Sequence, residues 1–172
     1  MATGVTGYRS IVVPTPLGDL IVVASERGVV TTMFDDDGAF PELDRLEARL
    51  ASPIPRSGRG LAPVGRQVES YFRGRRRSFS VPVDLSLGPD GFGRRVLEAT
   101  MAIPYGELVT YGDVGAAAGR LRAGRAAGNA LSRSPIELFV PCHRVVHAAG
   151  TIGGYGRHED RKRWLLRHEG SI

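Results

Sequence analysis

Residues 110 to 132 read TYGDVGAAAGRLRAGRAAGNALS. Thr110 and Asp113 stand at capping-box spacing, with the threonine hydroxyl available to the Asp113 amide and the carboxylate reaching back. A helix is predicted to start there and run to Gly119, a residue suited to a helix C-terminus. A short connection leads to a second predicted helix from about Ala123 to Ser132. Small residues on the predicted inner faces, Ala116, Ala117, Ala126, Ala127, Gly128 and Ala130, let such a pair pack closely, the pattern of a helix-turn-helix. Alone the pattern is weak, because Ala/Gly-rich helix pairs are also common in cores.

Towards the C-terminus, Ile136 to Val140 is a short apolar run, ended by Pro141 and followed by Cys142-His143-Arg144-Val145-Val146. Imidazole and guanidinium beside a thiol predict a lowered pKa and a populated thiolate. Adjacent residues on an extended strand point to opposite faces, so a direct Cys142–His143 hydrogen bond is disfavoured, and a bridging water would close that gap. The plain alternative is a buried, inert cysteine beside an unrelated histidine.

Towards the N-terminus, Gly91 to Met101 is predicted helical, with Phe92, Val96, Leu97 and Thr100 on one face, and Pro104-Tyr105-Gly106 ends it. The texture changes at Leu87-Gly88-Pro89-Asp90, which marks the boundary between a domain over 1–86 and another over 87–172. Before it, Ser10 to Pro14, Asp19 to Ser25 and Val29 to Phe34 are rich in Val, Ile and Thr and read as a three-stranded meander. Pro41 opens a helix with Leu43, Leu46 and Leu50 at helical spacing. Ser52 to Gly65, rich in proline and glycine, is predicted to be a loop. Val64 to Phe72 reads as a second helix, and FSVPVDL (79 to 85) alternates like a strand that Pro82 places at a sheet edge.

The chain has 172 residues, a net charge of +5 and 42% hydrophobic residues, which excludes global disorder and suits one medium domain or two small ones. Its single cysteine permits no internal disulfide and no thiolate-rich metal site, so a reducing compartment is the default. No apolar run reaches the roughly 18 to 20 residues of a membrane span, and no secretory signal is visible. Residues 87 to 172 carry 12 basic and 8 acidic side chains against 11 and 10 in residues 1 to 86, so the mild positive excess sits in the second half.

The stretches IPYGELVTYGDVG (103 to 115), GRAAGNALSRSPIELFVPCHRVV (124 to 146) and GTIGGYGRHEDRKRWLLRHEG (150 to 170) together resemble the O6-alkylguanine-DNA alkyltransferases, or methylated-DNA–protein-cysteine methyltransferases. The likeness is strong over residues 88 to 172 and weaker over YRSIVVPTPLGDL (8 to 20) and VESYFRGRRRSFSVPVDL (68 to 85). It implies an α/β protein with a ribonuclease-H-like N-terminal domain of small sheet and helices, and a mainly helical C-terminal domain holding the helix-turn-helix. The implied activity is DNA repair: one alkyl group passes from O6-alkylguanine, or less readily O4-methylthymine, in duplex DNA to a cysteine, without metal or organic cofactor.

The resemblance assigns roles by position. Cys142 is the alkyl acceptor, His143 takes its proton through a water, and Glu169 orients His143, the logic of a nucleophile, base and orienting group. Tyr111 assists the departing base and crowds the flipped nucleotide's phosphate. Arg125 fills the space left by the extruded base as its helix enters the minor groove, whose degenerate code suits sequence-independent repair. Gly112 and Arg120 join the DNA contacts. Tyr155, Gly156 and the Val145 carbonyl read the base, and Lys162 ties the pocket loop to the last helix. Ser134 replaces the asparagine of the usual Asn-Pro hinge and makes one fewer backbone hydrogen bond. The implied protein is monomeric in solution and cytoplasmic, on the nucleoid. An alternative, a non-catalytic lesion-sensing relative, commonly has tryptophan where this chain has Cys142.

Overall fold

The computed structural model describes residues 7–36, 40–156 and 158–172. The chain divides into two compact units, Met1–Asp84 and Leu85–Ile172, and is α/β as expected.

In the first unit, β1 (Arg9–Thr15), β2 (Gly18–Ser25) and β3 (Gly28–Phe34) form an antiparallel meander in the order β1-β2-β3. Central β2 is an unbroken apolar run because it is covered on both faces: Leu20, Ile21, Val22 and Val23 are all buried. A bulge between Val23 and Ala24 shifts the register against β3. Helices α1 (Phe40–Leu50) and α2 (Ala62–Phe72) follow; Leu43 and Leu46 of α1, and Val64, Val68 and Tyr71 of α2, are buried.

Two expectations need correction here. The 52–65 loop ends early, because Pro63, in the first turn of α2, lacks only a hydrogen that no helix bond needs there. Phe79 to Leu85 forms no strand. It makes a single parallel bridge, Val29 to Val83, in which the Pro82 carbonyl accepts from the Val29 amide and the Asp84 amide donates to the Val29 carbonyl. Pro82 has no amide hydrogen with which to extend the ladder. This crossing requires Gly28: at φ +141°, a Cβ there would lie 2.4 Å from the Pro82 carbonyl oxygen.

In the second unit, α3 (Phe92–Met101) buries Val96, Leu97 and Thr100 as its periodicity predicts. The capping box forms, with Thr110 Oγ1 accepting from the Asp113 amide and starting α4 (Tyr111–Ala117). Helix α5 spans Gly124–Leu131. The close face of the pair differs from expectation: Ala116 and Ala117 are exposed, and the approach is made by glycines. A Cβ on Gly115 would meet Ala123 backbone at 3.2 Å, and one on Gly124 would meet the Gly112 amide at 3.3 Å. After α5 the apolar run 136–140 is not a strand. Buried Leu138 adopts φ +70°, which breaks the extended path, and Cys142–Arg144 is a 3-10 turn. Two short parallel strands unseen in the sequence, β4 (Val109–Thr110) and β5 (Val145–Val146), pair Val109 with Val145 and Thr110 with Val146. The last helix, α6 (Glu159–His168), carries acids in its first turn and bases in its last, matching its dipole.

Candidate active site

The β4–β5 pairing assembles the site. It sets Tyr111, the first residue of α4, beside the turn that carries Cys142, His143 and Arg144. A pocket of about 390 Å3 opens there, lined by Tyr111, Gly128, Leu131, Ser132, Ser134, Glu137, Cys142, Gly154, Tyr155, Gly156 and His158. Of the residues expected in the site, it brings together Cys142, Tyr111, Ser134, Tyr155 and Gly156.

Behind the thiol lies a buried ionic cluster. Glu169 Oε1 accepts from His143 Nε2 at 2.9 Å and Arg144 Nη2 at 2.8 Å. Its Oε2 accepts from Arg144 Nε at 2.9 Å and the Gly106 amide at 3.2 Å. Four donors suit a carboxylate that only accepts, so Nε2 of His143 carries the hydrogen. Nδ1 is buried and has no hydrogen-bond partner among the described residues. Burial lowers the His143 pKa below 6.5, against the opposing pull of Glu169, so the ring is neutral at pH 7 with Nδ1 free to accept a proton.

The thiol departs from expectation. The Arg144 guanidinium is spent on Glu169 and the Ile103 carbonyl, the latter at 2.6 Å, and the Cys142 pKa is pushed up to about 12. Burial is the main cause, and the Glu137 charge adds to it; a hydrogen bond from Ser134 and the Lys162 charge pull the other way. By surface area Cys142 is only part-buried, so a substrate can still reach it through the pocket. At rest the group is a thiol.

Lys162, the only lysine, has no exposed surface. Its Nζ donates to the Val145 carbonyl at 2.6 Å and lies 5.8 Å from the Tyr111 ring centre, and burial lowers its pKa to about 8. Thus it ties α6 to β5, and the Val145 carbonyl expected to read a base already accepts from Lys162. Tyr111 packs on His147, with ring centres 4.9 Å apart, and its pKa is raised by burial and then by the neighbouring Cys142, so the phenol stays protonated. Ser134 Oγ accepts from the Ile136 amide, closing a local turn at the hinge, and its one hydrogen serves either the Ile136 carbonyl or the Cys142 sulfur.

Gly112, Arg120 and Arg125 lie outside the pocket, exposed on the helix pair. Arg125 sits in the first turn of α5, and the Arg120 guanidinium lies 5.6 Å from the Phe92 ring centre. The sequence reading missed Arg144, Gly106 and Glu137. A signal for Arg144 was present: a buried Glu169 needs a cation, and the arginine adjoining His143 is the candidate. Among the described residues no group of three or more His, Cys, Asp and Glu is placed to hold a metal ion, and no helix is long and apolar enough to cross a membrane.

Comparison with known proteins matches this architecture. The 6-O-methylguanine DNA methyltransferase ribonuclease-like domain matches residues 8–85, and the DNA binding domain of the same family matches 91–171. A Methanosarcina barkeri methylated-DNA–protein-cysteine methyltransferase is 34% identical over 164 residues, covering 92% of this chain and 94% of its own. A Thermus thermophilus DNA base-flipping protein is 38% identical, covering 92% and 98%. The crystal structure of Mycobacterium tuberculosis OGT in complex with DNA superposes with TM-score 0.80 at 29% identity, covering 95% and 93%. With both family domains matched in order along the sequence, the chain belongs to the 6-O-methylguanine DNA methyltransferase family.

Proposed function

We infer that this protein repairs DNA by moving the alkyl group of O6-alkylguanine in duplex DNA onto its own Cys142, once per molecule. The observation that carries this reading is the thiol on the pocket wall, with the neutral His143, Glu169 and Arg144 buried behind it. A base must leave the stack to enter such a pocket. Exposed Arg125, at the start of α5, is suited to fill the gap, with Arg120 and Gly112 along the same surface.

The thiol proton passes through a water to His143 Nδ1, and the imidazolium that forms is held by Glu169. The sulfur attacks the alkyl carbon in line. A carbon–sulfur bond forms, the carbon–O6 bond breaks, and its electron pair stays on the guanine. Tyr111 donates a proton to the departing base and recovers one from the His143 side through solvent, so the net change is one proton lost from sulfur and one gained by guanine. The charge of Lys162 favours the transient thiolate. A thioether resists cleavage, which ends the molecule's activity. Because the resting thiol is kept protonated, it is protected from oxidation until a substrate arrives.

O6-methylguanine is the assigned substrate and O4-methylthymine a weaker one. The 87–172 part performs binding and chemistry and the 1–86 part supports it; the protein acts as a monomer, in the cytoplasm on the nucleoid. The Thermus relative is named for base flipping alone, which keeps in view, as a second reading, a lesion sensor without chemistry. Cys142 in the pocket wall weighs against it. A duplex carrying O6-methylguanine labelled on its methyl group separates the two. Label moves to protein up to one equivalent under the first reading, and binding without transfer supports the second.

A further inference from the structure

Residues 114 to 136 hold four arginines, Arg120, Arg122, Arg125 and Arg133, and no acidic residue. Within this cationic stretch Leu121, in the turn between α4 and α5, is 82% exposed, more than any other large apolar residue among those described. A loose loop would account for such exposure, but this turn is tied down. The Gly119 amide donates to the Ala116 carbonyl at 2.9 Å and the Arg120 amide to the Gly115 carbonyl at 3.0 Å, the paired bonds of a Schellman motif. From α3, Arg95 Nε donates to the Ala118 carbonyl at 3.0 Å. The guanidiniums of Arg95 and Arg120 lie 5.8 and 5.6 Å from the Phe92 ring centre, which anchors the start of the turn to α3. Arg122 then takes φ +55°, a left-handed conformation that is costly for a residue with a side chain, and strain of this kind concentrates at functional sites. The turn thus holds a leucine in water at a fixed place. Neither Arg122 nor Arg125, both exposed, has an ion-pair partner among the described residues.

We propose that this turn is a second DNA contact beside Arg125, in which Leu121 packs on the apolar deoxyribose faces of the duplex and Arg122 pairs with an adjoining phosphate. The proposal rests on the reading of this protein as one that acts on duplex DNA. Sugar and phosphate are the same at every base step, so the contact adds affinity without sequence preference, as a search for lesions requires. A leucine already fixed in place loses little freedom on binding. The two halves of the contact differ in their response to salt. Apolar surface removed from water is not screened, whereas a neutralised phosphate releases counterions.

The test measures the affinity of the full chain for a short undamaged duplex by fluorescence anisotropy, from about 50 to 200 mM salt. Leu121→Ser is expected to weaken binding about fivefold at every salt concentration, with the slope of log affinity against log salt unchanged. Leu121→Met, which keeps the apolar surface, should bind within about twofold of the unaltered protein. Arg122→Asn, a residue that accepts the same φ, should reduce the slope by about 0.9, the share of one phosphate. Both side chains stand in water, so the variants are expected to fold as the unaltered protein does. Leu121→Ser binding as tightly as the unaltered protein would overturn the proposal, and so would the full slope in Arg122→Asn. A change in oligomeric state in Leu121→Ser with DNA affinity untouched would assign the leucine to a contact between copies and also overturn it. If the unaltered protein binds neither this duplex nor one carrying O6-methylguanine, the DNA reading itself falls.

Discussion

The two units bury different things. In the first, the interior is a regular sheet and two helices, and its buried polar groups are mostly small: Ser10, Ser25, Thr31 and Thr32, with Asp84 bonded to Ser25 Oγ at 2.8 Å and to Arg27. In the second, long charged side chains are buried: His143 and Arg144 in a 3-10 turn, and Arg161, Lys162 and Glu169 on or at the end of α6. The first unit is stabilised by area removed from water, and the second carries desolvated charges that hold one another in place. Such charges contribute little net stability. Their use is to fix a proton acceptor behind a nucleophile.

The contrast predicts separable effects. Cys142→Ser should abolish transfer from O6-methylguanine while leaving binding to the same duplex largely intact; measurement of both on one preparation checks this. Arg144→Met should be next in size, because it strips the cation from buried Glu169 and His143. A loss of about 3–5 kcal/mol in urea unfolding is expected, with slowed transfer by the molecules that remain folded. Leu20→Ala, a cavity in the apolar sheet, should cost about 2–5 kcal/mol but leave the rate per folded molecule unchanged, since no site residue lies in that unit. A rate loss there as large as that of Arg144→Met would break the comparison.

The smallest effect is a pH slope. The folded-state pKa of Lys162 is lowered to about 8 from 10.5, so between these values the unfolded chain holds a proton that the folded chain has shed. Stability therefore rises with pH in that window. The Cys142 thiol, raised to about 12 from 9, works in the opposite sense and must first be removed. In a Cys142→Ser background, unfolding free energy should rise from pH 8 to 10, and adding Lys162→Met should flatten the rise.

Most of the regular structure was legible because period-2 and period-3.6 patterns, Pro63 aside, are local. The meander, α3 and the capping box at Thr110 came from neighbours in sequence. Strands β4 and β5, at two residues each, have no period to read and exist because Val109 meets Val145 across the fold. The 79–85 stretch alternated convincingly yet lacked a ladder, because Pro82 cannot donate. In the site, motif residues located Cys142, His143 and Glu169, whereas the direction of the thiol pKa was misread. Adjacency in sequence put Arg144 beside the sulfur; the fold turned its guanidinium to Glu169. Glu137, five residues before Cys142, lines the pocket next to Leu138, where the chain leaves the extended path.

The most direct test of the central claim is peptide mapping of the protein after incubation with excess duplex containing O6-methylguanine. One methyl group per molecule, on Cys142 and nowhere else, with no further turnover, is the expected result. Repair of the lesion without a methyl on Cys142, or continued turnover by the same molecules, would contradict the account.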